Sequence, residues 1–95
     1  MRDYELVFIA HPEVEEEGLA DIREQIRGLI ISKGGQVTTV DLWGRRRLAY
    51  PIAKQLEGHY VVMQLELDPV HLPELEWMMR LDTRIMRRLL IRSDG

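Results

Sequence analysis

The sequence predicts an α+β fold in the order β-α-β-β-α-β, a four-stranded antiparallel sheet with two helices on one face. Three observations lead there. Residues 4–10, 36–50, 59–67 and 84–93 carry the alternating or β-rich patterns of strands. Residues 14–33 and 72–81 carry apolar side chains at helical spacing. His11-Pro12, Gly34-Gly35, Pro51 and Asp68-Pro69 separate these segments with residues that stop each kind of element.

The first strand is YELVFIA, in which Tyr4, Leu6, Phe8 and Ala10 alternate with Glu5, Val7 and Ile9. Both faces are apolar beyond Glu5, which predicts a strand inside the sheet. The first helix is expected over 14–33. Glu15, Glu16 and Glu17 lie in its first turn, where the helix dipole favours acids, and Leu19, Ile22, Ile26, Leu29 and Ile30 form one stripe. Lys33 and Gly34-Gly35 supply the stop. QVTTVDLWGRRRLAY follows as a long β-rich segment with a bulge or kink at Gly44. Pro51 is expected to end regular pairing, leaving AKQLEG as the connection. HYVVMQLEL then places Val61, Met63, Leu65 and Leu67 on one side and Gln64 and Glu66 on the other. The second helix, 72–81, aligns Leu72, Leu75, Met78 and Met79, with Pro73 tolerated in its first turn. In RIMRRLLIRS, Ile85, Leu89 and Ile91 are expected to face one way and Arg88 and Arg92 the other, with Arg87 on the apolar side.

Two right-handed crossovers in this order give the ferredoxin-like plan, with one sheet face covered by helices and the other free. The first and last strands are expected to sit apart, each beside a central one. At 95 residues the chain fits a single domain, 1–95.

Composition narrows the function. There is no cysteine, so disulfides and thiolate metal sites are excluded. The N-terminal apolar run, Leu6 to Ala10, is too short and too closely flanked by acids for a signal peptide or a membrane span, which makes the cytoplasm the default. Catalytic signatures are missing too: there is no Gly-x-Ser-x-Gly and no glycine-rich phosphate loop. His11, His59 and His71 lack a second ligand at metal-binding spacing, so neither a metal nor a cofactor is expected.

The formal net charge of -3 hides a gradient. Residues 1–33 hold eight acids and four bases, whereas 34–66 hold three acids and four bases. The bases of the final segment gather in RLDTRIMRRLLIR. A phosphate-bearing partner would therefore meet the middle and end of the chain. Arg45, Arg46 and Arg47 occupy consecutive strand positions, so at least one points opposite to its neighbours. They are either the solvated charges of an edge strand, which discourage aggregation, or phosphate contacts. Tyr50 and Lys54 add an aromatic face and a further cation, while Arg87, Arg88 and Arg92 come from the last strand and Arg2 from the first. The phosphate reading needs these groups to converge on one surface. Trp43 suits core packing and stacking on a partner equally, and Trp77 suits the edge of the core. Neither sheet strand carries the aromatic run of the common RNA-recognition module.

The run from Gly44 to Lys54, GRRRLAYPIAK, resembles the signature of the S-six family of bacterial small-subunit ribosomal proteins. The resemblance extends through MRDYELVFIAHPE, GHYVVMQLEL and RLDTRIMRRLLIRS, nearly the whole chain. It implies a structural protein of the ribosome that binds the central domain of small-subunit ribosomal RNA together with the ribosomal protein numbered eighteen. Arg45, Arg46, Arg47, Tyr50 and Lys54 fall within the signature, and Arg2, Arg87 and Arg92 in matching terminal-strand positions. Tyr50 and Leu48 also suit a packing role alone. Competing readings with the same element order are a dimeric α+β barrel enzyme acting on a small molecule, a ligand-sensing regulatory domain, and an acylphosphatase-like enzyme. The first lacks a catalytic constellation, the second is usually attached to another domain, and the third lacks its arginine-bearing loop after the first strand.

Overall fold

The computed structural model describes residues 1–93. Its elements are β1 (Arg2–Ala10), α1 (Glu16–Ser32), β2 (Gln36–Ile52), β3 (Gln55–Leu67), a short 3-10 turn (Pro69–His71), α2 (Leu72–Leu81) and β4 (Ile85–Arg92). The sheet order is β2-β3-β1-β4, with every neighbouring pair antiparallel. β1 and β3 are therefore central, as the two apolar faces of β1 predicted. The expectation that the first and last strands sit apart is corrected: β1 pairs directly with β4, from Tyr4 opposite Arg92 to Ala10 opposite Ile85.

One sheet face carries the core. Tyr4, Leu6, Phe8 and Ala10 from β1 meet Val61, Met63, Leu65 and Leu67 from β3. Above them lie Leu19, Ile22, Ile26 and Ile30 of α1 and Leu75 and Met79 of α2. Each large side chain removed from water here contributes about 1.5–3 kcal/mol. Helix α1 ends at a left-handed Gly34 (φ 83°), where the Gly34 N–H donates to the Ile31 carbonyl and the Gly35 N–H to that of Ile30. Glycine accepts that backbone conformation without strain. Trp77 corrects its core-edge expectation, because it lies on the outer side of α2 and is 58% exposed.

Two further corrections concern strands. Pro51 does not end β2, which continues to Ile52, and the connection shrinks to the two-residue turn Ala53-Lys54. Both turn residues have positive φ (49° and 66°), the backbone that suits the twist of a two-residue hairpin. In β4 the exposed side is the apolar alternation itself: Leu89 is 55% exposed, while Leu90 packs on the core opposite Leu6. A register shift between Ile9 and Ala10 puts an extra residue into β4 at Met86. Ile85 thereby reaches the core, whereas Arg87, Leu89 and Ile91 share the open face.

Arg84 fastens the helical layer to the start of β4. Its guanidinium pairs with Asp21 of α1 at 2.9 Å and with Asp82 at 2.8 Å. Hydrogen bonding from Arg84 holds the Asp82 carboxyl below its ordinary range, against the opposing effect of burial, and Asp82 in turn raises the pKa of Arg84. A lowered folded-state pKa stabilises above the unfolded value and is lost as pH falls through the folded one. Asp82→Asn is therefore expected to lower stability at neutral pH. The gap to the parent should begin to narrow below about pH 4 and close only as pH falls through the lower folded value, which urea unfolding over a series from pH 7 down to about pH 2 will check.

Candidate nucleic-acid interface

Strands β2 and β3 extend beyond the partners of β1, whose last pair is Ala10 with His59. Residues past that pair form a projecting hairpin that carries Arg46, Arg47 and Lys54. Its regular ladder holds to Arg47 opposite Glu57, breaks over 48–51, and resumes only at Ile52 opposite Gln55. Pro51 lacks the N–H that pairing would use, which accounts for part of the break. The slack carries Leu48 onto the open face, where it is buried with Ile9. Leu48, Tyr50, Ile52, Ile9, Tyr60 and Arg87 line a cavity of about 180 Å³ there. Across it Arg87 donates to the Tyr50 hydroxyl at 2.7 Å.

Gly58 permits this closeness. A Cβ at that position would lie 2.4 Å from Ile9 Cγ2 and 2.9 Å from Met86 Cε. Gly44, at φ 80°, sits at the second register shift of the β2–β3 ladder, between Leu42 and Gly44, as the sequence predicted. The bulge turns Trp43 onto the open face, stacked on Tyr60 with ring centroids 6.2 Å apart and planes 12° from parallel.

The arginine triplet alternates as expected. Arg46 lies over the Trp43 ring, 5.5 Å from its centroid. Arg45 points to the helix side, where it meets Glu57 at 3.7 Å and the Pro12 carbonyl at 3.5 Å. The side chains of Arg47 and Lys54 have no hydrogen-bond or ion-pair partner among the described residues. Arg46, Tyr50 and Arg87 thus share the open face near the hairpin, with Arg47 and Lys54 on the projecting part.

The remaining cations do not join them. Arg88 lies opposite Phe8 on the helix face and its Nε donates to Glu76 at 3.0 Å. Arg2 and Arg92 lie at the far end of β1, opposite Leu67 and Tyr4. The expected single patch is therefore corrected to a hairpin cluster, with Arg2, Arg88 and Arg92 outside it. Trp43 and Tyr60 are the aromatic partners that sequence reasoning did not bring together, because bulges decide which residues they face. Among the described residues no group of three or more His, Cys, Asp or Glu side chains is arranged to hold a metal ion. Among those residues, too, no helix is long and apolar enough to cross a membrane.

Residues 3–92 match the family model described as ribosomal protein S6. The chain belongs to the ribosomal protein S6 family. Similar proteins agree along its length. The small ribosomal subunit protein bS6 of Desulforamulus reducens is 44% identical over 93 residues, 98% of each chain. That of Carboxydothermus hydrogenoformans is 40% identical over 94 residues, covering 99% of this chain and 98% of its own. Among solved structures, the 30S ribosomal protein S6 of Thermotoga maritima superposes with a TM-score of 0.90 at 34% identity, covering 97% of this chain and 87% of that one. Membership in the ribosomal protein S6 family makes this a structural component of the small ribosomal subunit and not an enzyme.

Proposed function

We propose that the chain binds the central domain of small-subunit ribosomal RNA jointly with the ribosomal protein numbered eighteen, in the cytoplasmic ribosome, as one domain over residues 1–95. The observation that carries this reading is the projecting hairpin, where Arg46, Arg47 and Lys54 stand out from the sheet of an acidic protein with Arg87 close by. Guanidinium groups present planar donor forks that fit phosphate oxygens, and several along one strand follow a nucleic-acid backbone. The companion protein supplies the larger share of positive charge, and the acid-rich N-terminal third, with eight acids and four bases in residues 1–33, suits a basic neighbour or faces away from RNA. Arg2 and Arg92, at the far end of the sheet, and Arg88, on its helix face, are assigned to the companion or to secondary RNA contacts.

Sedimentation tests the reading. The purified protein is expected to travel with small ribosomal subunits through salt gradients, and its affinity for the RNA alone to be weak and to fall as salt rises, since phosphate neutralisation releases counterions. Absence from the subunit fraction at every salt concentration would overturn it.

A further inference from the structure

We propose that Trp43 is a positioning residue that presets the Arg46 guanidinium for an RNA phosphate, and that its indole does not stack on a base; this rests on the RNA-binding reading above. The indole is fixed on two sides. Its Nε1 donates to Asp41 Oδ2 at 3.1 Å, and its ring stacks on Tyr60. Arg46 then meets this fixed ring twice. Its Nε donates to the Trp43 carbonyl at 3.2 Å, and its Cζ lies 5.5 Å from the ring centroid. The left-handed Gly44 between them makes the bulge that lets residue 43 and residue 46 address the same face.

The consequence is an arginine whose inner nitrogen is occupied while its two terminal nitrogens have no hydrogen-bond or ion-pair partner among the described residues. Those nitrogens are the fork that grips phosphate bidentately. Its neighbours differ: Arg45 is drawn to Glu57 and Pro12, and Arg47 is held by nothing described. Order in the free protein matters because immobilising a long side chain on binding costs affinity, and a planar fork already oriented forfeits less. Trp43, 47% exposed, acts through Arg46 and makes no RNA contact of its own.

A double-mutant cycle on small ribosomal subunits washed free of this protein tests the assignment. Arg46→Ala is expected to weaken binding about tenfold, as loss of a charge-assisted pair of hydrogen bonds does. Arg46→Lys should lose nearly as much, because it keeps the charge without the fork. Trp43→Leu should weaken binding about two- to fivefold, the strength of an exposed cation–π contact, and Trp43→Phe should restore most of that loss. In the Arg46→Ala background, Trp43→Leu should have no further effect. An undiminished Trp43→Leu effect in that background would mean that the indole touches RNA or the companion directly, and overturns the proposal. So would unchanged binding by folded Trp43→Leu. Should Trp43→Leu fail to fold, the Arg46→Lys and Trp43→Phe variants decide alone: wild-type affinity in Arg46→Lys overturns the fork. The Arg46→Ala loss must also appear on protein-free ribosomal RNA, since a loss confined to whole subunits would assign the fork to a protein carboxylate. The two readings fail separately. Undiminished binding when all three arginines are replaced sinks the RNA contact, whereas weakened binding without coupling between positions 43 and 46 sinks only the positioning role.

Discussion

Replacing Arg45, Arg46 and Arg47 together by alanine is expected to lower affinity for the small subunit on the order of a hundredfold, at about fivefold per lost phosphate contact, while the protein stays folded. The plot of log affinity against log salt should also become shallower, by roughly 0.7–0.9 for each phosphate contact removed. The three positions are all exposed, and only Arg45 makes an ion pair, a half-exposed one with Glu57 at 3.7 Å. Such a pair is worth at most about 1 kcal/mol, so the unfolding midpoint should fall by only a few degrees. Filter binding or gradient co-sedimentation at several salt concentrations reads the first effect, and thermal unfolding the second. A variant that unfolds would make the triplet structural. A folded variant that binds normally, with an unchanged salt slope, would remove the hairpin from the RNA surface. The single substitutions should be unequal. Arg46 has an oriented fork, Arg47 has charge without orientation, and Arg45 must leave Glu57 and the Pro12 carbonyl before it can serve RNA.

Periodicity made the architecture legible because burial is periodic. Leu19, Ile22, Ile26 and Ile30 read as one helical stripe and are buried as one, and Val61, Met63, Leu65 and Leu67 line one strand face as written. What alternation does not carry is where a ladder slips. A straight count back from the Ala53-Lys54 turn pairs Arg47 with Tyr60, yet the structure pairs Arg47 with Glu57 and gives Tyr60 to Gly44. The slack over 48–51 makes that difference, and it leaves Leu48 and Tyr50 on the open face with Arg46, beside Arg87. The Trp43 stack was illegible for the same reason. Ala53 and Lys54 hid the turn because neither residue advertises positive φ as glycine or asparagine would. The basic patch was over-read in another way: charge in sequence says nothing of side, and alternation sent Arg88 to Glu76 across the sheet from Arg87.

The same slip in β4 supplies the test with the largest effect on stability. Phe8→Ala is expected to cost about 3–5 kcal/mol, since its ring is fully buried between the sheet and both helices and the cavity left behind closes only in part. Against a total of about 5–15 kcal/mol for a domain of this kind, that loss lowers the unfolding midpoint by roughly 15–30 °C and leaves some molecules unfolded at growth temperature. Two leucines of β4 then separate the rival registers. Leu90 faces Leu6 within the helix-covered layer, so Leu90→Ala should cost about 2 kcal/mol or more. Leu89 pairs with Val7 on the open face and is 55% exposed, so Leu89→Ala should change stability by no more than about 0.5 kcal/mol. Urea unfolding of the three variants measures all of this. A Leu89 variant less stable than the Leu90 variant would mean that the extra residue at Met86 is absent, that the apolar alternation Ile85-Leu89-Ile91 faces the helices, and that Arg87 is turned away from Tyr50. The place of Arg87 in the hairpin cluster depends on that one inserted residue: without it Arg87 would turn to the helix side, away from Arg46 and Tyr50.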